Sequence, residues 1–190
     1  NQRRAYITGL VDEQLGAPPA ATPGTTDATL VSAHGSLYIS EVLASNSGAY
    51  QIGGRLPDAI EIHNSSGSLV DLAGMSLTDD PESPARYVIP AGTSIPGGGY
   101  FVIDSDALGF GLSSEGDSVG LYESGGSLVD SIQFGLQIAD LSISRTGAGA
   151  NTWALTTPTI GAANAGPLTL GSPDDLRINE WLVRPQITFD

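Results

Sequence analysis

The stretch Gly116–Gly135, GDSVGLYESGGSLVDSIQFG, limits what this chain can become more than any other. Two runs of strand-forming residues, Ser118–Glu123 and Leu128–Phe134, flank Ser124-Gly125-Gly126-Ser127. Glycine accepts the positive φ that a tight hairpin turn requires, so the stretch predicts a β-hairpin. In the first arm Val119 and Leu121 share a face. In the second, Leu128, Ile132 and Phe134 share a face with Asp130, while Val129 and Gln133 take the other. A carboxylate in an apolar row has two explanations: it turns inward to a hydrogen-bond partner, or a bulge shifts the register.

The rest of the chain extends this texture. Its 190 residues include 25 glycines and 12 prolines, with one methionine and no lysine, so helix breakers are common and long polar side chains are few. Many short strands and turns follow, in one domain with pieces of neighbours attached. The net charge of −14 speaks against nucleic acid, which demands a basic footprint. An acidic surface confers solubility and attracts cations. With no cysteine, disulfides, thiol chemistry and thiolate metal sites are excluded. No apolar run approaches the ~18 residues of a membrane span, so membrane insertion is not expected.

In chain order, residues 1–16 predict a helix. Tyr6, Ile7, Leu10, Val11 and Leu15 form a stripe, Gly16 supplies a left-handed cap, and Pro18-Pro19 forbid continuation. Residues 17–35 read as a linker. Short strands are expected at Leu37–Leu43, Ala59–His63, Leu69–Leu72, Met75–Thr78, Tyr87–Ile89 and Tyr100–Asp104, then in the hairpin, Leu141–Arg145 and Trp153–Leu155. Turn-punctuated strands of this kind predict an all-β, immunoglobulin-like antiparallel sandwich over residues 36–166. Residues 167–175 are a second linker. Beyond it LRINEWLV (176–183) echoes LYISEVLA (37–44) at an offset of 139, with Ile178, Glu180 and Leu182 matching Ile39, Glu41 and Leu43. Residues 176–190 therefore read as the first strand of a truncated second copy.

The segments ISEVLASN (39–46), DAIEIHN (58–64), LVDLAGMSLTD (69–79), IPAGTSIPGGGYFVI (89–103), LSSEGDSVGL (112–121), LVDSIQFG (128–135), SISRTG (142–147) and TPTIGAANAG (157–166) resemble, in this order, the lamin-tail domain family of immunoglobulin-fold modules. The departures are Met75, where the family usually has tryptophan, and Thr159-Ile160-Gly161, where a tighter Pro-Gly step is common. The residue 1–15 helix resembles more distantly the close of spore-coat-type secretory kinase domains, which precede such modules in exported bacterial proteins. The resemblance implies a non-catalytic structural or adhesive module at the bacterial cell surface or outside the cell, with any catalytic domain upstream.

The residues themselves offer little chemistry. His34 and His63 are the only histidines and lack partners at ligand or catalytic spacing. No G-x-S-x-G elbow, P-loop or H-E-x-x-H occurs. Ser113-Ser114-Glu115-Gly116-Asp117 is explained by turn chemistry. Asp79, Asp80 and Glu82, with Asp104 and Asp106, are loop carboxylates of the type calcium takes, without EF-hand spacing. They stand as solvated turns first and weak calcium candidates second; no other cofactor is expected. Glu41, flanked by apolar residues, is expected to be a buried structural carboxylate. The aromatics Tyr38, Tyr50, Tyr87, Tyr100, Tyr122 and Trp153 would bind glycan only if several met on one face. The expected partner is protein, including other copies of the chain. Contact would come through strand addition by Ile178, Trp181, Leu182 and Val183.

Overall fold

A computed structural model describes residues 35–147, 152–169 and 171. The residue 1–16 helix, His34 and the 176–190 strand lie outside the described residues. Within them the chain forms eleven strands and one short helix. The strands are β1 (Leu37–Leu43), β2 (Ala59–Asn64), β3 (Val70–Asp71), β4 (Ser76–Thr78), β5 (Tyr87–Val88), β6 (Ser94–Ile95), β7 (Tyr100–Asp104), β8 (Asp117–Tyr122), β9 (Leu128–Phe134), β10 (Ser142–Arg145) and β11 (Trp153–Thr156); the helix is α1 (Ser105–Leu108). Every pair is antiparallel. A five-stranded sheet runs β11-β10-β1-β2-β7 and a four-stranded sheet β5-β4-β8-β9, with β3 and β6 as a small separate ribbon.

The inner faces meet in one apolar cluster. Leu37, Ile39, Val42, Ile60, Ile62 and Ile103 come from the larger sheet. Leu77, Val119, Leu121, Ile132 and Phe134 come from the smaller, and Leu72, Met75, Ile89 and Ile95 close the gaps between them. This is the immunoglobulin-like sandwich that the strand pattern predicts. Met75 is fully buried, so the departure from tryptophan is a change in core filling.

The hairpin forms with β9 spanning the predicted residues, and its turn closes by Gly126 N–H donating to Glu123 C=O at 2.8 Å with Gly126 at φ 85°. Both explanations of Asp130 hold. Tyr122 pairs with Leu128 and Leu121 with Asp130, so Val129 is the extra residue of a bulge. Asp130 also turns inward. The bulge overturns one expectation: Leu128 is exposed rather than in the row with Ile132.

Two elements differ from the sequence reading. The helix α1 sits in a stretch read only as an acidic loop. Asp104 caps it by accepting from Ala107 N–H at 2.9 Å, and Gly109 ends it in the left-handed conformation. The ribbon β3–β6 brings the 65–68 turn so close to the 96–99 turn that a Cβ on Gly97 would lie 2.3 Å from the Gly67 carbonyl carbon. Only glycine fits there.

Candidate functional site

The polar chemistry of the module gathers on the outward side of β1 and β2. Glu41 and Glu61 are direct cross-strand partners, and both are fully buried. Clean alternation along Ala59–His63 would have left Glu61 in water. It is buried because residues 157–164, following β11, fold back across this face. Glu41 accepts from Thr159 N–H at 2.9 Å and from the Thr159 hydroxyl at 2.8 Å. Glu61 accepts from Gly161 N–H and from the Ser40 hydroxyl, both at 2.6 Å. Asn164 fixes the far end, donating to the carbonyls of Ser40 and Arg145 at 2.9 Å each.

Burial pushes the Glu61 carboxyl up to about 7; the Ser40 and Gly161 donors pull the other way, and nearby Glu41 adds to the rise. The site tolerates either protonation state. The Ser40 hydroxyl also reaches the Glu61 backbone carbonyl at 3.2 Å, so it can accept a hydrogen bond from the protonated Glu61 carboxyl while donating to that carbonyl. The Thr159-Ile160-Gly161 departure thus supplies two of the amides that hold this pair.

A second charged group joins the sheets. Asp130 of β9 accepts from Ile39 N–H at 2.8 Å and from Arg145 of β10 at 2.6 Å, while Arg145 Nε donates to Ile39 C=O at 3.1 Å. Two side chains therefore serve a β1 peptide that no neighbouring strand reaches. Burial raises the Asp130 carboxyl, against the pull of Arg145. The Arg145 guanidinium also lies over the rings of Trp153 (4.5 Å) and Tyr38 (5.1 Å).

Tyr38, His63 and Tyr100 are successive partners across β1, β2 and β7. Three of the aromatic-type rings thus share a row, the arrangement that a glycan platform needs. Their geometry uses the rings on one another. Tyr38 meets His63 edge-on at 5.1 Å, His63 leans on Tyr100 at 4.5 Å, and the Tyr38 hydroxyl bonds His63 Nδ1 at 2.7 Å. Burial lowers the His63 imidazole and raises both phenols.

The acidic candidates take separate turn roles. Asp79 pairs with Arg86, Asp80 accepts from Glu82 N–H at 3.0 Å, Asp104 caps α1, and Asp106 pairs with Arg55 at 2.8 Å. No group of three or more acidic or histidine side chains suited to a metal ion is found among the described residues. Ser113–Asp117 is a turn, with Asp117 accepting from Ser113 N–H at 2.9 Å and Ser113 Oγ from Glu115 N–H at 3.2 Å. Ile178, Trp181, Leu182 and Val183 lie outside the described residues. No described helix is long and apolar enough to cross a membrane.

Sequence reading missed Glu61, Asp130's partner Arg145 and the covering loop. Glu61 was within reach: Ile60 and Ile62 flank it directly, a stronger form of the signal read for Glu41, which stands next to Ser40 and Val42 in the largely apolar run 37–43. Arg145 gave none, because its partner lies 15 residues upstream on the other sheet.

The model of the Lamin Tail Domain matches residues 31–135, more than half of the chain. The chain belongs to the lamin tail domain family. The fold is the immunoglobulin-like one of that family, and its class is that of a structural domain rather than a catalytic one. The family match ends at the close of the hairpin, but the module does not. Strands β10 and β11 and the 157–164 loop complete the larger sheet and seal its carboxylates. No curated protein matches the chain.

Proposed function

We propose that this lamin tail domain is a non-catalytic structural and adhesive spacer in an exported, multidomain bacterial protein, joined to further modules and to other copies by strand addition. The observation that carries the reading is the use to which its reactive side chains are put. Glu41, Glu61, Asp130, Arg145 and His63 each hold another part of the fold. A catalyst must keep such groups free to meet a substrate. An extracellular or cell-surface location rests on the resemblance to exported bacterial modules, while the net charge of −14 opposes contact with nucleic acid.

The second reading is a glycan-binding accessory module, favoured by the Tyr38–His63–Tyr100 row. Against it, sugar stacking needs open ring faces, and these rings pack on one another. A glycan array and a low-salt DNA gel shift on the whole chain test both points. The spacer reading expects no saturable binding in either. Glycan binding abolished by Tyr100→Ala would replace it with the accessory reading, and salt-sensitive micromolar DNA binding would defeat the electrostatic argument.

A further inference from the structure

The sandwich has four sheet edges, and three are blunted. β9 carries a bulge and an inward-turned charge, Asp130, that ties it to β1. β5 has two residues and runs into Pro90. The outward Leu155 carbonyl of β11 accepts from Leu168 N–H at 2.9 Å, so the chain covers that edge as it leaves the module. Among the described residues β7 has none of these devices. It is five residues long, lacks proline, keeps unbroken register with β2 and reads YFVID. Asn64 N–H donates to Gly99 C=O and Ser105 N–H to Asp58 C=O, which fixes the ladder phase. Phe101 and Ile103 therefore bond β2, while the peptides of Tyr100 and Val102 face outward. No described residue serves these two.

We infer that β7 is an acceptor edge for strand addition, and that its occupant is segment 176–183 of a second copy of this chain. This rests on the assembly reading above and names its surface. Extended as a strand, the segment would place Ile178, Glu180 and Leu182 on one face and Asn179, Trp181 and Val183 on the other. Its apolar side chains on both faces would match the two faces of β7, Phe101 with Ile103 and Tyr100 with Val102. The alternative of replacing β1 in the other copy is closed, since Trp181 would take the place of Val42, which is fully buried. The same chain's segment would reach only at full stretch. Leu168 lies beside β11, on the far side of the sheet from β7. Six strand spacings of about 4.8 Å separate the two outer positions. The residues from 168 to 176 span at most about 29 Å when fully extended, no more than that separation, and the 157–164 loop lies across the direct path. Head-to-tail repetition gives an open filament.

The test is sedimentation of the whole chain over a concentration series, with residue-level hydrogen exchange at Tyr100 and Val102. Expected are concentration-dependent association and protection of both amides that rises with it. Val102→Pro removes an outward donor without touching the β2 ladder, and Ile178→Asp alters only the occupant. Each should raise the apparent dissociation constant by about tenfold or more. If Val102→Pro fails to fold, the occupant variant still decides. A monomer with unprotected Tyr100 and Val102 amides would overturn the inference and leave a non-assembling structural module. Protection independent of concentration would place the occupant in the same chain. Association that survives both variants would place the interface elsewhere.

Discussion

The two sheets share one core but treat their outward faces differently. On the β8–β9 hairpin, alternation holds: Val119, Leu121, Ile132 and Phe134 point in, and Ser131 and Gln133 are exposed. On β1 and β2 both faces are buried. The outward one carries Ser40, Glu41 and Glu61 under a loop drawn from more than 90 residues downstream. The hairpin is stabilised by local register and the core. The other pair needs a remote segment to satisfy groups that would otherwise be buried without partners.

The sharpest way to break this contrast is to remove that segment. A chain ending at Gly135, where the family match stops, loses β10, β11 and the loop. It should show no cooperative thermal transition, whereas one ending at Leu168 should melt as a single unit. Equal cooperativity in both would mean that the larger sheet does not depend on its downstream strands.

Arg145→Ala comes next. It leaves Asp130 buried and unpaired, removes the donor to Ile39 C=O and strips the guanidinium from between Tyr38 and Trp153. A loss of about 3 kcal/mol is expected in urea denaturation. A change below about 1 kcal/mol would place the pair among surface salt bridges of little worth.

Glu61→Gln has a smaller effect whose sign depends on pH. The folded carboxyl holds its proton up to about 7, above its ordinary 4.5, so the folded state binds more protons between those values. Its contribution is fully present below pH 4.5 and is lost as pH rises through 7. Glutamine mimics the protonated form. The variant should match the parent near pH 4.5 and exceed its stability by about 1–2 kcal/mol at pH 8. Equal destabilisation at both pH values would show that the charged form is the one the site prefers.

Calcium should do least. With Asp79, Asp80, Asp104 and Asp106 committed to separate turns and pairs, and Glu82 not joining any group of three or more suited to a metal ion among the described residues, millimolar calcium should leave the melting temperature unchanged. A concentration-dependent rise would restore these residues as ligands.

The contrast also explains what could be read from sequence. The hairpin was legible because its evidence is local: alternating residues and a Gly-Gly turn. Glu41 was legible from its apolar flanks. Glu61 was not recognised, because alternation assigns a face to solvent unless something remote covers it, and residues 157–164 are distant in the chain. Leu128 was misplaced because periodicity continues through a bulge that only pairing reveals. The one-turn helix α1 is too short for a periodic signal, although Asp104 and Gly109 are its cap residues. β6, two residues long, gives no alternation to read.

The claim that residues 157–164 belong to the folded core is tested most directly by native-state hydrogen exchange at the amides of Thr159 and Gly161. Both donate to buried carboxylates, at 2.9 and 2.6 Å. They should open only with global unfolding, showing the same exchange free energy as the central amides of β1 and β2. Exchange as fast as that of Gly125 in the exposed hairpin turn would show that the loop opens independently, and that Glu41 and Glu61 do not depend on it.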